Sequence, residues 1–167
     1  MRTILIVDDE KSVRESIRMI LEYDKYRVLA AENGRQGLEL LRDGQIDAVL
    51  LDIKLPQGMD GIEVLREMMR IDADLPVIMI SGHGTFETAV EATKLGAFDF
   101  LPKPLDREKL LIVLRNALEH RALSRELRRV RDKEQILGES PKIKAILSLI
   151  QRVGPTDTRV LISGESG

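Results

Sequence analysis

Short aliphatic runs recur along the first hundred positions, and four of them end on a polar group. Ile4 to Val7 leads into Asp8 and Asp9, Ala48 to Leu51 into Asp52, Val77 to Ile80 into Ser81, and Phe98 to Pro102 into Lys103. Runs of this length, rich in Val, Ile and Leu and without polar alternation, mark strands covered on both faces of a parallel sheet. Strands are expected at about 3–8, 27–31, 47–52, 76–81 and 97–101. Between them, apolar residues fall at helical spacing: Val13, Ile17, Ile20 and Leu21 in 11–22, Leu38 and Leu41 in 34–42, Ile62, Leu65, Met68 and Met69 in 61–70, and Phe86, Ala89, Val90 and Thr93 in 85–95. Gly44, Gly61 and Gly96 punctuate these segments. Strict alternation of strand and helix predicts an α/β fold, a doubly wound parallel sheet with helices on both faces.

The pattern changes after residue 105. Asp106 is placed to cap a fifth helix, with Lys109 rather than Glu at the third helical position, so the cap is expected without the capping box. No Gly or Pro interrupts 105–137, which lets this helix run past the domain where it begins. Leu110, Leu114 and Leu118, then Leu123, Leu127 and Val130, form stripes in different heptad frames, the pattern of a short, imperfect coiled coil. A second unit starts at Gly138. Ser140-Pro141 reads as a cap followed by Pro at the first helical position, and Ile143, Ile146, Leu147 and Ile150 as a helical stripe that Gly154-Pro155 ends. Residues 159–163 read as a strand leading into Gly164–Gly167. One helix and one strand cannot bury a core, so 138–167 is expected to be the first piece of a further domain, after a domain at 1–120 and a linker at 121–137.

Composition narrows the chemistry. The chain has 167 residues, 43% hydrophobic and only 3% aromatic, so one aliphatic core of common domain size is expected. There is no cysteine, which excludes a disulfide framework and thiolate chemistry. No apolar stretch approaches the roughly 20 residues of a membrane span, and no signal-peptide pattern follows Met1-Arg2, so a soluble cytoplasmic protein with no membrane partner is expected. Residues 1–120 carry 16 Lys and Arg against 22 Asp and Glu, whereas 121–167 carry 10 against 6. The basic excess lies in Arg121, Arg125, Arg128, Arg129, Arg131 and Lys133, mixed with Glu126 and Asp132 and without aromatic residues. A solvated helix face fits this better than a nucleic-acid footprint.

If the apolar runs are parallel strands, Asp8, Asp9, Asp52, Ser81 and Lys103 meet at the carboxyl edge of the sheet, where open α/β sheets bind ligands. Three carboxylates, a hydroxyl and an ammonium suit a divalent cation and a phosphoryl group. Asp is common at strand ends for conformational reasons alone. Three of them converging with Ser81 and Lys103 favour a site. Magnesium prefers hard oxygen ligands, and mutual repulsion among Asp8, Asp9 and Asp52 gives them cation affinity. Asp52, the lone acid ending the central strand, is the candidate nucleophile toward phosphorus. The metal, the Ser81 hydroxyl and the Lys103 ammonium would each take one phosphoryl oxygen. A cis Lys103-Pro104 peptide would aim the lysine back at the pocket. His83 reads as a loop residue, His120 as a helix surface position, and the six Met as core filler.

The motifs and their order resemble a response-regulator receiver domain over residues 1–120: Ile6-Val7-Asp8-Asp9-Glu10, Leu50-Leu51-Asp52 followed by Leu55-Pro56, Met59-Asp60-Gly61, Ile80-Ser81-Gly82-His83-Gly84, and Lys94-Leu95-Gly96-Ala97 through Phe100-Leu101-Pro102-Lys103-Pro104. The resemblance implies a five-stranded, flavodoxin-like sheet in the order 2-1-3-4-5. It implies phosphoryl transfer from a phosphohistidine of a sensor histidine kinase to Asp52, with Mg²⁺ held by Asp8, Asp9, Asp52 and the backbone carbonyl of Lys54. Ser81 and Phe100 match the family's switch pair. Phe100 lacks a hydroxyl, so its inward state rests on packing. One departure stands out: 53–59 is one residue longer than in most receivers.

Gly138-Glu139-Ser140-Pro141 and Val160 to Gly167 resemble the start of the AAA+ ATPase domain of sigma-54-dependent, NtrC-type activators. A P-loop needs G-x-x-x-x-G-K-[ST]. Only Gly164 to Gly167 match it, so Gly164 and Gly167 form an incomplete nucleotide-binding motif and no ATP hydrolysis is expected. The sequence is expected to be a piece of a longer protein cut inside that motif. The resemblance implies a homodimer whose phosphorylation controls the ATPase, with sigma-54 RNA polymerase and DNA reached through domains beyond this chain. It also implies no enzymatic activity here beyond the receiver's part in its own phosphorylation and dephosphorylation. Two rivals remain: a flavodoxin-like cofactor binder, whose phosphate loop Asp8-Asp9-Glu10 would repel without metal, and a receiver-like interaction module that is not phosphorylated.

Overall fold

The computed structural model describes residues 1–55, 58–82, 86–134, 140–153 and 161. Five strands, β1 Thr3–Val7, β2 Arg27–Ala31, β3 Ala48–Asp52, β4 Val77–Ser81 and β5 Asp99–Pro102, pair in parallel in the order β2-β1-β3-β4-β5. The helices between and after them are α1 Lys11–Tyr23, α2 Gly34–Asp43, α3 Gly61–Ile71, α4 Phe86–Lys94, α5 Arg107–Glu134 and α6 Pro141–Val153. The doubly wound five-stranded sheet is the one expected, with strand limits differing by one or two residues.

The central strands β1, β3 and β4 are buried on both faces because their side chains alternate between two aliphatic clusters, while the edge strands β2 and β5 are only partly covered. Leu5, Val7, Val49, Leu51, Val77 and Met79 pack with Leu38 and Leu41 of α2 and Val64, Leu65 and Met68 of α3. Ile4, Ile6, Ala48, Leu50, Ile78 and Ile80 pack with Ile17 and Leu21 of α1 and Leu110, Leu114, Ala117 and Leu118 of α5. Burying each Val, Leu, Ile or Met side chain of these clusters contributes about 2 kcal/mol. This two-sided cover explains the unbroken apolar runs. The register then fixes the strand ends: Val7 pairs with Leu51, Asp52 with Ile80, and Ser81 with Pro102.

The helix caps follow the local sequence. The Lys109 N–H donates to Asp106 Oδ1 at 2.8 Å, and the Ile143 N–H to Ser140 Oγ at 3.2 Å. On α4 the expected stripe is displaced. Ala92 is buried, whereas Thr93 is exposed and its hydroxyl donates to the Ala89 carbonyl at 2.8 Å. The Thr93 hydroxyl is satisfied by its own helix, which leaves the small Ala92 to meet the core.

Residues Met1–Glu126 form one compact unit and Leu127–Gly167 another. Leu123 is 62% exposed and Leu127 70%. In α6, Ile146 and Ile150 are each 47% exposed. Of the strand expected at 159–163 only Leu161 is described, and it is exposed; the rest of that segment and the motif glycines Gly164 and Gly167 lie outside the described residues, as do His83 and Gly84. No described helix is long and apolar enough to cross a membrane.

Arg121 departs from the solvated face expected of the basic stretch. It is 4% exposed, with Nη2 2.7 Å from Asp72 Oδ2 and Nη1 donating to the Asp47 carbonyl at 3.1 Å. Helix α5 still lies against the amino-terminal edge of the sheet at this point, so a residue one turn beyond Leu118 faces inward. Arg2 adds a donor to the Leu118 carbonyl at 3.0 Å, and the Thr3 N–H donates to Asp47 Oδ2 at 2.8 Å. Arg121→Ala is expected to lower unfolding stability by about 2 kcal/mol, because it leaves Asp72 without its guanidinium partner and opens the α5 packing. Urea unfolding checks this, with a lower midpoint and an unchanged slope.

Candidate functional site

At the carboxyl edge, β1 and β3 lie side by side while β2 turns to the other side of β1, which makes a crevice at the switch of strand order. Asp8 directly follows Val7, the partner of Leu51, and so stands beside Asp52. One carboxylate oxygen each from Asp8, Asp9 and Asp52 lie within 4.8 Å of one another. Asp8 and Asp52 are buried, and Asp9 is exposed. Lys103 reaches across from the end of β5. Its Nζ is 2.9 Å from Asp8 Oδ2 in an ion pair, and it donates to Asp52 Oδ2 and Glu10 Oε1 at 3.1 Å each. The Lys103-Pro104 peptide is cis, as expected. A cavity of about 660 Å³ opens over the group, lined by Asp9, Glu10, Asp52, Ile53, Lys54, Leu55, Asp60, Gly82 and Lys103.

The remaining expected residues are placed as follows. Ser81 ends β4, is buried, and accepts the Lys103 N–H on its carbonyl at 2.7 Å, while its neighbour Gly82 lines the cavity. Phe100 is half-buried against the cluster on the α2 and α3 side. Lys54 is exposed on the cavity wall, and its backbone N–H bonds Asp52. Pro56 and Gln57, within the longer loop, lie outside the described residues.

Two features had no assigned role in the sequence. Glu10 spends its side chain on Lys103 rather than on capping α1, and its N–H donates to Asp8 Oδ1 at 2.9 Å. The third acid of Asp8-Asp9-Glu10 was visible, but a partner 93 positions away was not. The start of α3 is the second. Asp60 and Glu63 form a capping box, and the Gly61 N–H donates to the Ile53 carbonyl at 2.9 Å. A Cβ on Gly61 would collide with the Asp52 carbonyl and come within 2.6 Å of Ile53 Cα. Only glycine allows the helix to press on the backbone that carries Asp52.

The electrostatics are unbalanced. Burial raises the Asp52 pKa above its ordinary value; Lys103 opposes this through its hydrogen bond and charge, and the Asp8 charge adds to it. Burial also disfavours the Lys103 ammonium, but hydrogen bonds to Asp8, Asp52 and Glu10 outweigh it and hold the lysine pKa above the ordinary range. One ammonium thus faces the carboxylates of Asp8, Asp52 and Glu10, with Asp9 beside them. The donor set is all oxygen, without imidazole or thiolate, which fits a hard divalent cation such as Mg²⁺.

Residues 4–115 match the response regulator receiver domain family. This chain belongs to that family. The match to transcriptional regulators extends through the linker and the segment beyond it. The transcriptional regulatory protein ZraR of Klebsiella oxytoca is 42% identical over 166 residues, covering 98% of this chain and 37% of ZraR. The nitrogen assimilation regulatory protein NtrX of Azorhizobium caulinodans is 40% identical over 169 residues, again covering 98% of this chain and 37% of the relative. The crystal structure of NtrX from Brucella abortus superposes with a TM-score of 0.74 at 37% identity, over 99% of this chain and 37% of that one. The CheY-like receiver domain from Methanospirillum hungatei gives a TM-score of 0.71 at 30% identity, over 74% of this chain and 98% of that one. These relatives place the receiver in the NtrC-type group that residues 138–167 resembled. The chain spans little more than a third of the length of the curated relatives it matches.

The raised Asp52 pKa gives a signed prediction for the receiver without divalent cations. The native state disfavours an ionised Asp52 relative to the unfolded chain, so above the raised native pKa Asp52→Asn is expected to raise the urea midpoint. As pH falls through the raised native pKa toward the ordinary 3.8, the native carboxyl protonates first and wild-type stability rises relative to the variant. The two midpoints converge with falling pH in urea titrations in EDTA; a wild type more stable than the variant at pH 7 contradicts the assignment.

Proposed function

We propose that this receiver is the phosphorylation-controlled input domain of a cytoplasmic two-component response regulator of the sigma-54-dependent activator type. The observation that carries the reading is the convergence of Asp8, Asp9, Asp52 and Lys103 at one strand edge. An Asp52 carboxylate oxygen attacks the phosphorus of a phosphohistidine on a sensor histidine kinase; the new O–P bond forms as the N–P bond breaks and the imidazole leaves. Lys103, already 3.1 Å from Asp52 Oδ2, is positioned to follow the negative charge onto the transferred group. The Ser81 hydroxyl donates to a phosphoryl oxygen, and the Phe100 ring packs inward in the phosphorylated state. Asp8, Asp9, Asp52 and the Lys54 carbonyl would hold Mg²⁺. When bound, the ion supplies positive charge that offsets repulsion between the carboxylates and the phosphoryl oxygens.

Beyond the pocket, the exposed Leu123 and Leu127 of α5 support pairing of two copies through the linker helix. Phosphorylation then changes that pairing and sets the activity of an ATPase domain further along the chain. DNA and sigma-54 RNA polymerase are engaged through domains beyond these residues.

Intact mass after incubation with Mg²⁺ and acetyl phosphate tests this reading. One added phosphoryl group is expected, absent from Asp52→Asn and formed about a hundredfold more slowly in Lys103→Ala. No uptake under conditions that label a control receiver would favour a non-phosphorylated interaction module.

A further inference from the structure

Two consecutive carboxylates do not face one point from an extended strand, because successive side chains alternate. The chain meets this constraint by turning directly after β1. The Asp8 N–H still donates to the Ala31 carbonyl at 3.2 Å, and two residues later Glu10 is already the N-cap of α1. The turn leaves the carbonyls of Asp8 and Asp9 ahead of the helix. The first carbonyl within reach of a helical N–H is that of Glu10, which accepts from the Arg14 N–H at 3.1 Å. Glu10 supplies no side-chain cap to steady the turn.

Arg14 takes up both carbonyls. Its Nη1 donates to the Asp8 carbonyl at 2.6 Å and to the Asp9 carbonyl at 2.8 Å. A cation in the first turn of a helix is disfavoured by the helix dipole, so helix stability alone does not account for an arginine here. We infer that Arg14 is a positioning residue for the pocket: by pinning the outer, carbonyl side of the turn, it holds the Asp8 and Asp9 carboxylates at the spacing that binds Mg²⁺. The inference rests on the magnesium reading above. It adds a residue with no ligand atom of its own, acting only through the backbone of two ligands. Lysine would keep the charge but not the planar guanidinium held between two carbonyls.

The test uses the whole 167-residue chain with Arg14→Ala and Arg14→Lys. Calorimetric titration with MgCl₂ is run beside urea unfolding in EDTA, and acetyl phosphate labelling is measured across MgCl₂ concentrations. Arg14→Ala is expected to bind Mg²⁺ about tenfold more weakly, as loss of an outer-sphere partner does, with a metal-free urea midpoint close to wild type. Its labelling rate should recover at saturating Mg²⁺, and Arg14→Lys should remain weakened. Affinity within twofold of wild type, with or without a lower urea midpoint, would overturn the inference while leaving the magnesium reading intact. An Arg14→Lys variant that binds like wild type would overturn the carbonyl clamp in favour of charge alone. If the wild type itself binds no Mg²⁺, it is the magnesium reading that fails.

Discussion

Two buried carboxylates, Asp8 and Asp52, share one ammonium, and the rest of the domain is arranged around that shortage of positive charge. Taking a carboxylate out of water costs several kcal/mol unless it is well paired. Lys103 cannot fully pair two of them while it also binds Glu10. The scaffold must therefore hold a local arrangement that the charges alone oppose, and what it holds is a pocket short of positive charge at a position set by strand register.

That register comes from the aliphatic core. With every residue of β1, β3 and β4 buried, a one-residue slip would exchange the two faces and present each cluster with side chains of the wrong size. The apolar packing thus fixes where Asp8, Asp52 and Ser81 emerge. Gly61 adds a second constraint by letting α3 close on the backbone after Asp52, and its capping box keeps the first turn of α3 formed there. At the opposite edge, Arg121, Asp72 and Asp47 hold α5 against the amino-terminal ends of the strands. The same helix thereby packs on the receiver and leads into the linker.

Much of this was legible in the sequence because it depends on periodicity and on the order of strand ends. The unbroken runs predicted two-sided burial, and Asp8, Asp9, Asp52 and Lys103 were found where parallel strands had to bring them. What escaped was long-range pairing between charged groups. Arg121 looked like one more member of a basic stretch, since nothing local marks Asp72 as its partner, and Glu10 gave no sign of reaching Lys103. Thr93 shared the helical spacing of its apolar neighbours, yet its hydroxyl could be satisfied on its own helix. Periodicity identifies a face but not how a polar group on that face is satisfied.

The metal-free pocket is held against its own charge, so a divalent cation should relieve it. Thermal unfolding of the chain in EDTA and across a series of MgCl₂ concentrations tests this most directly, with Asp8→Asn in parallel. The expected result is a wild-type midpoint that climbs with Mg²⁺, as linkage requires for a ligand of the native state, and a nearly flat response in the variant. A wild-type midpoint indifferent to Mg²⁺ would contradict it.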